Sequence, residues 1–119
     1  MKSTKFFTPE KNITDYKESI FVINNAMHGC VTFTNGGSPI SGKTPFMKLC
    51  ADIEFDIPKQ TGGVYAFTGL ATTDNTSLVS GGVKPLEVIY LEDGSVGIAM
   101  KDTSEANAIY TISFTLPLK

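Results

Sequence analysis

The sequence predicts an all-β fold, an antiparallel β-sandwich or jelly-roll-like knob of about seven to eight strands, and three observations carry that reading. Thr, Ile and Val occur 14, 10 and 7 times in 119 residues, against 35 for Ala, Leu, Glu, Lys, Gln and Met together, so strand formers are over-represented. Residues Met47 to Ile57 alternate between apolar and polar, the period-two signature of a half-buried strand. Asp93-Gly94 lies between two apolar runs, a strong hairpin signal because a type I′ turn needs positive φ at both central residues.

A chain of 119 residues forms one domain with a core, and 41% apolar with 18% charged residues is far from the composition of disorder. Residues 1–19 mix Lys, Glu, Asn and Thr around Pro9 without a sustained period, which reads as a lead-in arm or connector to a single β-domain over 20–119. Ile20 to Ile23 is a continuous apolar run ended by Asn24-Asn25, the mark of a strand covered on both faces and then a turn. His28 to Thr34 returns, with Val31 and Phe33 on one face and His28, Cys30, Thr32 and Thr34 on the other. Met47, Leu49, Ala51, Ile53, Phe55 and Ile57 point inward in the next strand, which Pro58 ends. Strands at Val64 to Leu70, Leu86 to Leu91, Val96 to Met100 and Ile109 to Leu116 complete the set. In the last, Tyr110, Ile112, Phe114 and Leu116 face in, while Thr111, Ser113 and Thr115 face out.

All ten basic residues are Lys, and the net charge is −2. Without clustered positive charge or a guanidinium fork, nucleic-acid binding is not expected. No apolar run approaches the length of a membrane span, and the start Met1 to Pro9 lacks the apolar stretch of a secretory signal, so no membrane insertion is expected. No nucleophile-elbow, phosphate-loop, dinucleotide or zinc-protease motif occurs, and no cofactor is expected.

Asp52, Glu54 and Asp56 place three carboxylates on one strand face, roughly 6 to 7 Å apart. Glycosidase carboxylates approach the scissile bond from different sides, and calcium loops need their acids and Gly in a loop, so the expected role is a solvated sheet face. His28, Cys30 and Cys50 have neither zinc-site nor Cys-His nucleophile spacing, so neither metal ligands nor catalytic residues are assigned. The two thiols are either free and partly buried or joined across neighbouring strands.

A two-residue Asp93-Gly94 turn pairs Leu91 with Val96, Ile89 with Ile98 and Glu87 with Met100 on the core face. The opposite face then carries Val88, Tyr90 and Ala99, and its apolar character predicts a cover, either the lead-in arm or, preferentially, a second subunit. Ligand contacts are expected at the polar loop Thr72 to Ser77, with Asp74, Asn75 and Thr76 supplying donors and acceptors and Tyr65 an aromatic surface.

The order of elements resembles the C-terminal tip, or head, domains of tailed-bacteriophage fibres and baseplate receptor-binding proteins. The matching residues are Ile20 to Ile23 with Gly29 to Phe33, Ile57-Pro58, Gly81-Gly82 with Pro85, Leu86 to Leu91, Asp93-Gly94-Ser95-Val96-Gly97-Ile98, and Tyr110 to Leu116. The likeness spans residues 20–119; one departure from it is that the basic residue common before the mid-chain Pro is Lys84 here, in a chain with no Arg. It implies a non-enzymatic, homotrimeric knob on the virion that binds a saccharide or protein of the bacterial surface or serves appendage assembly. The competing expectation is a carbohydrate-binding module or adhesin domain of a cell.

Overall fold

The structure, a computed structural model, describes residues 5–37, 40–41, 44–57, 64–73, 83–100 and 107–119, with the backbone alone in 64–73 and 83–84. It contains β1 (Phe7–Pro9), β2 (Ile13–Ile23), β3 (Ala26–Asn35), β4 (Met47–Leu49), β5 (Val64–Thr73), β6 (Val83–Tyr90), β7 (Val96–Met100) and β8 (Ile109–Pro117). All pairs are antiparallel, in the order β1-β4-β7-β6-β5-β8-β3-β2. The fold is all-β, as the composition and alternation predict, and no helix occurs among the described residues.

The ladder folds back on itself. Phe7 of β1 meets Phe114 of β8 edge-on at 5.8 Å, and Phe46 beside β4 stacks on Phe33 of β3 at 4.8 Å. The first strands of the ladder thus face the last across the core, giving the two layers of a sandwich. Met27, Val31, Met47, Leu86, Val88, Ile98, Tyr110 and Ile112 are completely buried between them. Each such side chain stabilises the fold by about 1.5 to 3 kcal/mol relative to exposure. A Cβ on Gly29 would lie 2.3 Å from Cζ of Phe114, so the missing side chain is what lets that ring cross β3.

Folding back brings the two ends of the ladder together, and a side chain joins them. The Glu18 carboxylate of β2 accepts from the N–H of Phe6 at 2.7 Å, the N–H of Phe7 at 3.2 Å and the hydroxyl of Tyr16 at 2.5 Å. Burial, with the Glu18 carboxylate beside it, raises the Tyr16 hydroxyl well above the ordinary phenol range, so it stays a donor.

Residues 7–19 are not a connector, because β1 and the first half of β2 belong to the sheet and Phe7 is completely buried. A bulge between Thr14 and Lys17, with Asp15 at φ 52, shifts the inward positions from Ile13 to Tyr16 and so hides the alternation. Ile20 to Ile23 is not covered on both faces: Phe21, Val22 and Ile23 are 53%, 45% and 52% exposed. The strand expected from Met47 to Ile57 ends at Leu49, although its inside-outside alternation persists to Ile57. Phe6 O draws in the N–H of both Cys50 and Ala51, and the Ile53 N–H turns back onto Ala51 O, so the chain leaves the ladder there.

The β6–β7 register also differs by one residue. Val96 pairs with Tyr90 and Ile98 with Val88, around a three-residue loop in which Gly94 alone has positive φ, +92. Leu91 O accepts from Gly94 N–H and Leu91 N–H donates to Ser95 O, a type I turn followed by a glycine bulge. One residue of slip exchanges the faces. Leu86, Val88 and Tyr90 therefore enter the core with Ile98 and Met100, while Glu87 and Ile89 lie opposite Ala99 and Gly97 on the other face.

Candidate functional site

The C-terminal end of β6, the β6–β7 hairpin and the irregular segment 53–57 enclose a groove of about 500 Å³. Its walls are Leu49, Ile53, Phe55, Ile57, Tyr90 and Val96, and its polar groups come from Glu54, Asp56, Ser95 and Lys119. This composition, apolar walls with a few placed polar groups, suits a small polyhydroxylated or amphipathic ligand.

Local backbone chemistry holds each wall. The Asp56 N–H donates to Pro117 O at 2.8 Å, and Phe55 bridges Leu118, so segment 53–57 is tied to the end of β8. The Lys119 N–H donates to Glu54 O at 3.1 Å, and its ammonium lies 3.8 Å from the Glu54 carboxylate. That ion pair is well exposed and contributes little to stability, but it places both charges at the rim. The Tyr90 hydroxyl donates to Ile57 O at 3.3 Å, anchoring the floor.

On the hairpin rim, Asp93 Oδ1 accepts from the Ser95 hydroxyl at 2.6 Å and the Ser95 N–H at 2.9 Å. These bonds hold the Asp93 carboxyl below the ordinary carboxylate range. They also fix where the Ser95 oxygen presents its lone pairs to the groove.

The expected site residues fare differently. Asp74, Asn75 and Thr76 lie outside the described residues; Tyr65 is seen only as backbone in β5, paired with Val88. Val88 and Tyr90 are 0% and 7% exposed and belong to the molecule's own core, so they form no subunit surface. Ala99 is completely buried on the opposite face, across from Glu87. Asp52, Glu54 and Asp56 are all exposed, as the solvated-face reading expects, yet the bend at Ala51–Asp52 carries Glu54 and Asp56 to a groove that the strand reading missed.

Cys30 and Cys50 are free and exposed; Cys30 is on β3, while the Cys50 thiol faces Lys5 O at 3.6 Å. His28 stacks on Phe21 at 5.2 Å. Among the described residues no three His, Cys, Asp or Glu side chains are grouped to hold a metal ion. No described helix is long and apolar enough to cross a membrane.

The chain matches no family model, no curated protein and no solved structure.

Proposed function

We propose that this chain is a non-enzymatic binding domain at the tip of a virion tail fibre or baseplate, and that the groove beside the β6–β7 hairpin is its ligand surface. The groove is the observation that carries the binding role: apolar walls are combined with a carboxylate pair, a fixed hydroxyl and an ammonium. Such a set pairs sugar C–H faces with the rings and methyls, and sugar hydroxyls with Glu54, Asp56 and Ser95. The virion setting is supported by the sequence pattern from Ile20 to Leu116. The homotrimer implied by that pattern does not enter this reading, because Val88 and Tyr90, its expected surface, line the core.

Binding of the full chain to immobilised bacterial surface polysaccharide tests the assignment. Asp56→Ala combined with Ser95→Ala is expected to weaken binding about tenfold or more, the loss of one or two hydrogen bonds, with the unfolding midpoint unchanged. Undiminished binding by a folded double variant removes the groove from the assignment. Capture by non-bacterial saccharides alone favours the cellular carbohydrate-binding reading instead.

A further inference from the structure

We propose that the end of β2, Ser19 to Ile23, is a pairing edge for a second copy of this chain. Among the described residues β2 terminates the ladder, with β3 as its one hydrogen-bonded strand neighbour. The contact that joins it to β1 is made at Glu18, and residues 19–23 run on past it. Among the described residues, no backbone bond outside the β3 ladder reaches them.

The polar groups on this edge follow from the turn. Asn24 and Asn25, at φ 53 and 58, form a two-residue loop that makes Ile23 and Ala26 a hydrogen-bonded pair. By alternation, Ser19, Phe21 and Ile23 direct their N–H and C=O groups to β3, while Ile20 and Val22 direct theirs away from the sheet. Natural edges are blunted by charge, proline or a bulge. β2 carries such devices in its first half, the Thr14–Lys17 bulge and Lys17 itself. Ser19-Ile20-Phe21-Val22-Ile23 has none, and three of its side chains are about half exposed.

A second copy fits this edge because the edge is self-complementary. An antiparallel two-fold centred on Phe21 sets Ile20 of each copy opposite Val22 of the other, so every outward N–H meets an outward C=O. The same register joins Phe21 and Ile23 of both copies into one apolar patch. A head-to-tail ladder would need a second open edge, and the other end of the sheet, β1, is engaged by Glu18. The paired stretch is short, so association rises with concentration over the range used for weak complexes.

Sedimentation of the full chain is expected to show a monomer passing to a dimer as concentration rises. Over the same range, amide exchange at Ile20 and Val22 slows about tenfold, while that at Ser19 and Phe21, already bonded to β3, does not change with association. Val22→Pro removes the outward N–H without touching the β3 ladder, so it should stay folded and remain monomeric. Phe21→Lys is expected to raise the dimer dissociation constant at least about tenfold by opposing like charges. A chain that stays monomeric, a trimer, or a folded Val22→Pro variant that still dimerises overturns the proposal. If Val22→Pro unfolds, concentration-independent exchange at Ile20 and Val22 of the unmodified chain overturns it alone.

Discussion

The two hairpins β2–β3 and β6–β7 are built from similar apolar strands yet reach opposite ends. The β2–β3 loop has two residues, both at positive φ, and its first strand finishes exposed. The β6–β7 loop has three residues, one at positive φ, and both its faces are buried around Ile89, Tyr90, Ile98 and Ala99. The sequence predicts a two-residue turn at Asp93-Gly94 and cover on both faces of both apolar runs, Ile20 to Ile23 as well as the β6–β7 pair. The difference teaches that an apolar run measures what a strand is able to bury, while its neighbours in the ladder decide whether it does. Among the described residues β6 has β5 and β7 beside it, and β2 has β3 alone.

The sharpest way to break this comparison is to charge a valine in each hairpin. Val88→Asp places an unpaired carboxylate at a site with no exposure and should cost about 4 kcal/mol or more, enough to unfold much of the population. Val22→Asp, at a half-exposed site on the edge, should change the urea midpoint by less than about 1 kcal/mol equivalent. Similar losses would mean that β2 is covered after all.

A smaller effect separates two glycines. Gly29→Ala drives a methyl into the Phe114 ring and should cost about 1 to 3 kcal/mol through forced repacking. Gly94→Ala meets no atom within 4 Å, and its cost of about 1 kcal/mol arises from the positive φ alone. Thermal unfolding of both variants checks the order, and a reversal would place the strain in the turn instead of under the ring.

The smallest expected effect is a pH dependence confined to one turn. Because Ser95 depresses the Asp93 pKa in the folded state, that carboxylate's contribution is complete above the ordinary unfolded carboxylate pKa and is lost as pH falls through the lower folded value. The gap in Tm between the unmodified chain and Asp93→Ala should therefore be constant near pH 6 and close below about pH 4. Asn25→Gly alters a turn without a carboxylate, and its effect on Tm should not follow pH. A gap at Asp93 that persists in acid would show that the hydrogen bonds to Ser95 do not depend on the charge.

Much of the fold is legible in the residues because alternation reports burial directly. In β8, Tyr110, Ile112, Phe114 and Leu116 are buried and Thr111, Ser113 and Thr115 exposed, as the period-two pattern states. β3 follows the same rule at Val31 and Phe33. Legibility fails where one residue is inserted into the period. The bulge at Thr14 to Lys17 and the glycine bulge at Gly94 each shift the register, and from the residues alone neither is distinguishable from a regular turn or an irregular arm. The groove was illegible for a related reason. Segment 53–57 has the alternation of a strand, and the bond from the Ile53 N–H to Ala51 O that bends it away is a backbone choice imposed by Phe6.

Joining the sheet through Glu18 also sets how the molecule responds to load. β1 is held to β4 over three paired residues and to β2 by one carboxylate, whereas β3 and β8 are paired over nine. Tension applied at Phe7 therefore acts on a few bonds in succession, while the same tension across β3 and β8 acts on a whole row at once. The first strand is therefore expected to detach before the rest of the sandwich, and because Phe6 O holds the N–H groups of Cys50 and Ala51, its release is expected to loosen segment 53–57 at the groove.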